Sequence, residues 1–402
     1  MTARVVILGG GQAGLEAAAA LRSQGFEGPV TLIGAEPHAP YQRPPLSKDY
    51  LLGKQNAEGL PLRASHYYEK HNISLRIGDG AVGIDRTAKL IRLESGESIP
   101  FDKLILAVGA HNRILSLKGA DRVHYLRTRD EADAIRQHLT TAQTVIVIGG
   151  GFIGLELAAA SRAMGKAVTV VEPMPRLMAR AIAPPMSEFF RELHQNEGVT
   201  ILLNTTVLEI TGDAVILSDG TRRPADVVLG GIGVIPNVEL AQAAGIEIDH
   251  GIVVDEFLQT NDPDIYAIGD CSNHPNPFAG ALAGGRARLE SVQNAVDQAK
   301  CAARHILGNP SPYRDVPWFW TDQFHVRFQM AGLSAGYDAT AVRGDPASRK
   351  FTVFYFREGR LLGADSVNRF GDHIAVRKLL AAGMSITPDQ AGDENTDLKK
   401  LG

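Results

Sequence analysis

Two glycine-rich runs carry the strongest chemical signal in this chain. They are Gly9-Gly-Gly-Gln-Ala-Gly14 and Gly149-Gly-Gly-Phe-Ile-Gly154. Each follows four apolar residues, Val5–Leu8 and Val145–Ile148, and each opens an alanine-rich run. Gly9, Gly11 and Gly14 match Gly149, Gly151 and Gly154 in spacing. The first glycine of such a loop permits a tight turn, the second lets backbone approach a pyrophosphate, and the third lets helix and strand pack closely. The helix that opens at Gln12 and Ala13, or at Phe152 and Ile153, then presents its N-terminus to the phosphates. A second apolar run, Val30–Ile33 or Val168–Val171, leads in each copy to an acid, Glu36 or Glu172. A carboxylate there can accept both hydroxyls of an adenosine ribose.

Two such sites in one chain imply two dinucleotides, and FAD with a nicotinamide is the economical pair because hydride can pass between them. Glu172 would repel a 2′-phosphate and points to NAD. Arg176 and Arg180, close behind, could greet one and leave NADP open. Three further apolar runs end in turns. Phe101–Gly109 carries Ala107 and Gly109, and Ala225–Asn237 carries Gly233. Asp264–Asp270 delivers the carboxylate of Asp270 at a strand end. That carboxylate suits a sugar hydroxyl or a helix cap. Downstream of the first loop and Glu36 lies Tyr41-Gln-Arg-Pro-Pro-Leu-Ser-Lys48, stiffened by two prolines, basic and free of cysteine.

At 402 residues the chain predicts two or three domains. A net charge of -4 argues against a general nucleic-acid binder. Cys271 and Cys301 form no CxxC pair, and no cysteine–histidine cluster has metal spacing. A disulfide framework is therefore not expected, and a reducing, cytoplasmic setting fits. The most membrane-like stretch, Thr144 to Ser161, holds three consecutive glycines and Glu156, so it reads as strand, loop and buried helix.

Taken together, the two loops, Arg43-Pro-Pro-Leu-Ser-Lys48, Tyr125-Leu-Arg-Thr128, Tyr266-Ala-Ile-Gly-Asp-Cys271, Glu290-Ser-Val-Gln-Asn-Ala295 and Val316-Pro-Trp-Phe-Trp-Thr-Asp-Gln323 resemble the FAD-dependent NADH:ferredoxin and rubredoxin reductases. That group lies within the pyridine-nucleotide-disulfide oxidoreductase superfamily, and the resemblance covers essentially the whole chain. It implies an α/β fold with two Rossmann-like dinucleotide-binding domains in a glutathione-reductase-like arrangement, plus a C-terminal α+β domain. A discontinuous FAD domain would span 1–110 and 236–313, an inserted NAD domain 111–235, and the C-terminal domain 314–402.

The resemblance also implies roles. Lys48 would sit at flavin N5, held by Glu156, and the two would be the catalytic pair. Arg43 and Arg127 would face the FAD pyrophosphate, with Pro45 fixing the segment between. Val82 would meet the adenine end, Val292 would aim its N–H at the flavin O2 edge, and Trp320, with Trp318 as a second candidate, would cover the flavin. Ala107 replaces the family's usual threonine and removes one hydroxyl contact. The implied activity takes hydride from NADH onto FAD and passes single electrons to a [2Fe–2S] ferredoxin serving a cytochrome P450 or a ring-hydroxylating oxygenase. Docking is expected near Lys300, Arg304 and Trp320, with no nucleic-acid or membrane partner. The alternatives are an NADH oxidase or rubredoxin reductase, or a redox-responsive binding protein of the apoptosis-inducing-factor kind.

Overall fold

The computed structural model describes residues 3–280 and 282–401. Its frame is two five-stranded parallel sheets and one five-stranded antiparallel sheet. In the first sheet, Val5–Leu8 lies between Lys103–Leu106 and Val30–Gly34. Ile265–Ala267 and Ile73–Ile77 form the edges. In the second, Thr144–Ile148 lies between Val227–Gly230 and Ala167–Val171. Val123–Tyr125 and Thr200–Leu202 are the edges. Central strands are buried on both faces, which is why they read as unbroken apolar runs. Each fully buried Val, Ile or Leu contributes about 1.5–3 kcal/mol.

The second sheet is nested inside the first. Its strands occupy the chain between Lys103–Leu106 and Ile265–Ala267, which are neighbours in the first sheet. The two passages between them run side by side, because Ala110–Asn112 pairs antiparallel with Val234–Pro236. His111 Nδ1 and Asn237 Oδ1 lie 2.6 Å apart beside this ribbon.

The helix Gln12–Ser23 packs along Val292–Ile306, and both bury alanines, among them Ala17, Ala18, Ala299 and Ala302. Small side chains allow the two to approach closely. The segment 41–51 is pinned elsewhere. Leu46, Tyr50 and Leu51 bury against Ala132, Ile135 and Leu139 of the helix Arg129–Thr141.

The C-terminal sheet has the order Trp318–Gln323, Val326–Gly332, Arg360–Val367, Lys350–Arg357, Ala339–Asp345. The helix Phe370–Ala381 covers one face through Val376 and Leu379 against Phe354 and Ala364. The other face meets the second dinucleotide unit: Phe328 lies near Phe152 and Phe190, and Phe351 near Phe189. Thr321 pairs directly with Phe328 and so shares that inward face.

Candidate active site

The glycines of the two loops divide by what surrounds them. Gly9 has φ +122°, and a Cβ on it would lie 2.0 Å from the Ala107 carbonyl oxygen. A Cβ on Gly14 would strike Gly9 O at 2.0 Å, and one on Gly154 would strike Gly149 O at 2.0 Å. These positions are forced by the protein's own packing. Gly11 and Gly151 are different. A Cβ on Gly11 would meet nothing within 4 Å, and one on Gly151 only Gly231 O at 3.6 Å. Both are helix N-caps without a side-chain hydrogen bond. Open space and uncapped N–H groups together form the cradle that a pyrophosphate fills. The residues present thus fit a dinucleotide at each loop.

The two ribose acids are held differently. Glu36 receives the Tyr41 hydroxyl at 2.5 Å and the Arg43 guanidinium at 2.5 Å. Arg43 also donates to the Arg127 carbonyl at 2.5 Å. Its guanidinium is therefore engaged beside the acid rather than standing free before the glycines. Glu172 is buried and accepts the N–H groups of Gly150 at 2.6 Å and Met174 at 2.9 Å. Its remaining lone pairs can still accept hydroxyls. Arg176, which the sequence left open as a phosphate partner, donates to the carbonyls of Ile182 and Ala179 and to Ser187 Oγ. Arg180 is exposed and sits beside Gly233.

Arg127 is set by its neighbour. Thr128 and Glu131 form a capping box for the helix Arg129–Thr141, and Glu131 also accepts the Arg127 N–H. The guanidinium then reaches Asp270 at 3.0 Å, next to Gly109. Gly269, with φ +74°, packs on Ala13 and brings Asp270 to the start of the first loop helix. Ala107 is buried, its N–H bonded to Leu8 O, while Val82 is exposed on an outer hairpin. Ser291 caps Val292–Ile306 by accepting the Asn294 N–H, so the half-buried Val292 opens that helix ahead of the capped group.

Lys48 and Glu156 meet. Lys48 Nζ lies 2.7 Å from Glu156 Oε1, with the side chains 19% and 3% exposed. Pro44 and Pro45 start the short turn Pro44–Ser47, and Lys48 N–H closes it on the Pro45 carbonyl. Glu156 stands on the first turns of the helix Phe152–Ala163, facing inward. Its second oxygen accepts the Ser47 hydroxyl, and Thr321 Oγ1 donates to Oε1 at 2.5 Å. Ser47 and Thr321 were both inside the motifs that carried the resemblance, but their partner was not readable from spacing.

Trp318 and Trp320 are half-buried with ring centres 5.6 Å apart, and the Arg377 guanidinium lies 4.5 Å from the Trp318 ring centre. The expected docking cations lie in a mixed-charge region. Lys300 is exposed and 3.4 Å from Asp297, and Arg304 is half-buried near Asp315. Burial, with Asp297 nearby, raises the Asp315 carboxyl above its usual range. Cys271 and Cys301 are both buried, and burial pushes each thiol up to about 11. Among the described residues no group of three or more His, Cys, Asp and Glu could hold a metal ion. No described helix is long and apolar enough to cross a membrane.

Residues 3–299 match the family model of the pyridine nucleotide-disulphide oxidoreductases, and residues 318–402 match that of the reductase C-terminal domain. Rhodocoxin reductase of Rhodococcus erythropolis is 49% identical over 98% of this chain and 93% of its own. The ferredoxin reductase for the CYP199A2 system from Rhodopseudomonas palustris superposes with a TM-score of 0.95, at 44% identity and 99% coverage of both chains. The reductase in the covalent putidaredoxin reductase–putidaredoxin complex gives a TM-score of 0.95 at 39% identity, covering 99% of this chain and 98% of that one.

Proposed function

The chain belongs to the pyridine nucleotide-disulphide oxidoreductase family, and from that premise we propose that it is an FAD-dependent ferredoxin–NAD(P)+ reductase. It serves a [2Fe–2S] ferredoxin that feeds a cytochrome P450 or a ring-hydroxylating oxygenase. The observation that carries this reading is the Lys48–Glu156 pair, which joins a cysteine-free segment downstream of the first loop to the helix that opens at the second. Bound FAD supplies the coupling of a two-electron hydride donor to a one-electron acceptor.

The protein's own residues do the rest. Gly9, Gly11 and Gly14 with Gln12 and Ala13, and Gly149, Gly151 and Gly154 with Phe152 and Ile153, bind the two pyrophosphates. Glu36 and Glu172 take the riboses. Arg127 and Asp270 would hold the middle of FAD, and Val292 opens a helix whose dipole would favour negative charge at the flavin edge. Lys48, held by Glu156, would supply a positive charge to stabilise the negative charge that a reduced flavin carries. Trp320 would cover the flavin. The domain limits we adopt are 1–110 with 236–313, 111–235, and 314–402.

NADH is the preferred donor. Glu172 disfavours a 2′-phosphate, and Arg176 spends its donors on two carbonyls of its own loop and on Ser187 of the helix that follows. The raised thiols of Cys271 and Cys301 are poor nucleophiles at neutral pH, which disfavours a peroxidase or disulfide route. Unpaired, reduced thiols also fit the cytoplasm. The test is anaerobic mixing with NADH and with NADPH: flavin absorbance should bleach at least about tenfold faster with NADH, since one uncompensated charge contact is worth 1–3 kcal/mol. Equal rates would remove the preference, and no bleaching with either would remove the reductase reading.

A further inference from the structure

The carboxylate of Glu156 is the end of a longer chain. Thr321 Oγ1 donates to it and lies 3.2 Å from Gln323 Nε2, and Gln323 Oε1 lies 2.8 Å from His194 Nε2. Thr321, Gln323 and His194 are at most 1% exposed. His194 belongs to the helix Pro184–Asn196, whereas Thr321 and Gln323 belong to the edge strand of the C-terminal sheet.

We propose that His194, Gln323 and Thr321 form a one-way series of donors aimed at Glu156, which makes Thr321 a positioning residue for the Lys48–Glu156 pair. The direction is fixed by chemistry. An ionised carboxylate only accepts, so the one hydroxyl proton of Thr321 must go to Glu156. The Thr321 oxygen then accepts, so the Gln323 NH2 faces it and the Gln323 carbonyl faces His194. His194 must therefore carry its proton on Nε2. Its Nδ1 is buried without a hydrogen-bond partner, as a bare nitrogen can be and an N–H would not. Burial keeps this imidazole neutral above about pH 4. The series ends there, so it conducts no proton. It orients three dipoles in the same sense, and each strengthens the next. The result is a carboxylate fixed in place by Ser47 and Lys48 from one segment and by Thr321 from another part of the fold.

This inference rests on the role proposed above for Lys48 and Glu156. Its test uses FAD-loaded protein and anaerobic stopped-flow reduction by NADH. Thr321→Val keeps the volume and removes the donor. It should lower the limiting rate about tenfold, with half-saturating NADH within about twofold of the parent, as loss of a hydrogen bond to a charged group implies. Thr321→Ser restores the hydroxyl and should recover the rate to within about twofold. Gln323→Met removes the next donor and should slow reduction by about three- to fivefold, so the proposal stays testable should Thr321→Val fold poorly. Lys48→Ala, run alongside, separates the two levels. A slow Lys48→Ala with parent-like Thr321→Val and Gln323→Met overturns the series and leaves the pair standing. A parent-like Lys48→Ala overturns both. A Thr321→Ser as slow as Thr321→Val makes packing the cause and also overturns the series.

Discussion

Lys48 keeps a fifth of its side chain exposed while Glu156 is enclosed, and that asymmetry governs how each can be removed. Taking away Lys48 leaves the carboxylate with its two hydroxyl donors, Ser47 and Thr321. The site should hold its shape and lose mainly the charge proposed above to face the flavin. Lys48→Ala is therefore expected to slow flavin reduction by about 10²-fold, the size of a lost electrostatic stabiliser, with FAD still bound after gel filtration. Glu156→Gln keeps one carbonyl acceptor and should fall between Lys48→Ala and the parent in the same stopped-flow assay. At this scale the sequence exposed the pair only through resemblance, because Lys48 and Glu156 lie far apart in the chain. His194 was invisible: on an amphipathic helix it looks like any polar residue, and its partner Gln323 is 129 positions away.

The loops make a sharper prediction at the scale of elements. Gly151 and Gly154 sit three residues apart in one turn, yet only Gly154 is needed by the fold itself. Gly151→Ala should melt within about 0.5 kcal/mol of the parent, as a substitution without a steric cause does. It should nevertheless raise the NADH concentration needed for half-maximal reduction by at least about tenfold, since its methyl enters the pyrophosphate cradle. Gly154→Ala should destabilise the protein outright, seen as a lower melting temperature with or without nucleotide. Equal effects of the two on melting would contradict the division. The same elements show what was legible. Val5–Leu8 and Thr144–Ile148 announced themselves because a buried parallel strand is apolar on both faces. Edge strands such as Ile73–Ile77 and Thr200–Leu202 are half-exposed and carried no such signal. The order of the C-terminal sheet was also hidden. Val326–Gly332 pairs with Arg360–Val367 and skips the two strands between, a choice made by long-range packing.

Across the whole molecule, burial of titratable groups ties stability to pH. His194, His274 and His373 are each pushed from 6.5 down to about 4 by burial. Between those values the unfolded chain binds more protons than the folded one, so stability falls as pH drops through that window. Each histidine forfeits up to about 3 kcal/mol by its lower end, at 1.36 kcal/mol per unit. Asp365, raised to about 7 by burial, acts in the opposite sense, because its folded form holds a proton that the unfolded form releases above 3.8. Asp315, also raised, opposes them too, but the three histidines outweigh the two carboxyls, and calorimetry should show the melting temperature falling from pH 7 to pH 4.5. A flat profile would mean that these imidazoles are not held neutral. The nesting of one sheet within the other was legible through the resemblance, which implies an NAD domain inserted at 111–235 within a discontinuous FAD domain. The inward face of the C-terminal sheet, which delivers Thr321 to the centre, was not. What defines the protein is where electrons leave it. The measurement is to reduce the flavin with one equivalent of NADH without oxygen, then mix it with an oxidised [2Fe–2S] ferredoxin while following both chromophores. Flavin absorbance should return as two ferredoxins are bleached for each NADH consumed. A flavin that stays reduced in the presence of such ferredoxins, and reoxidises only on admitting oxygen, would contradict it.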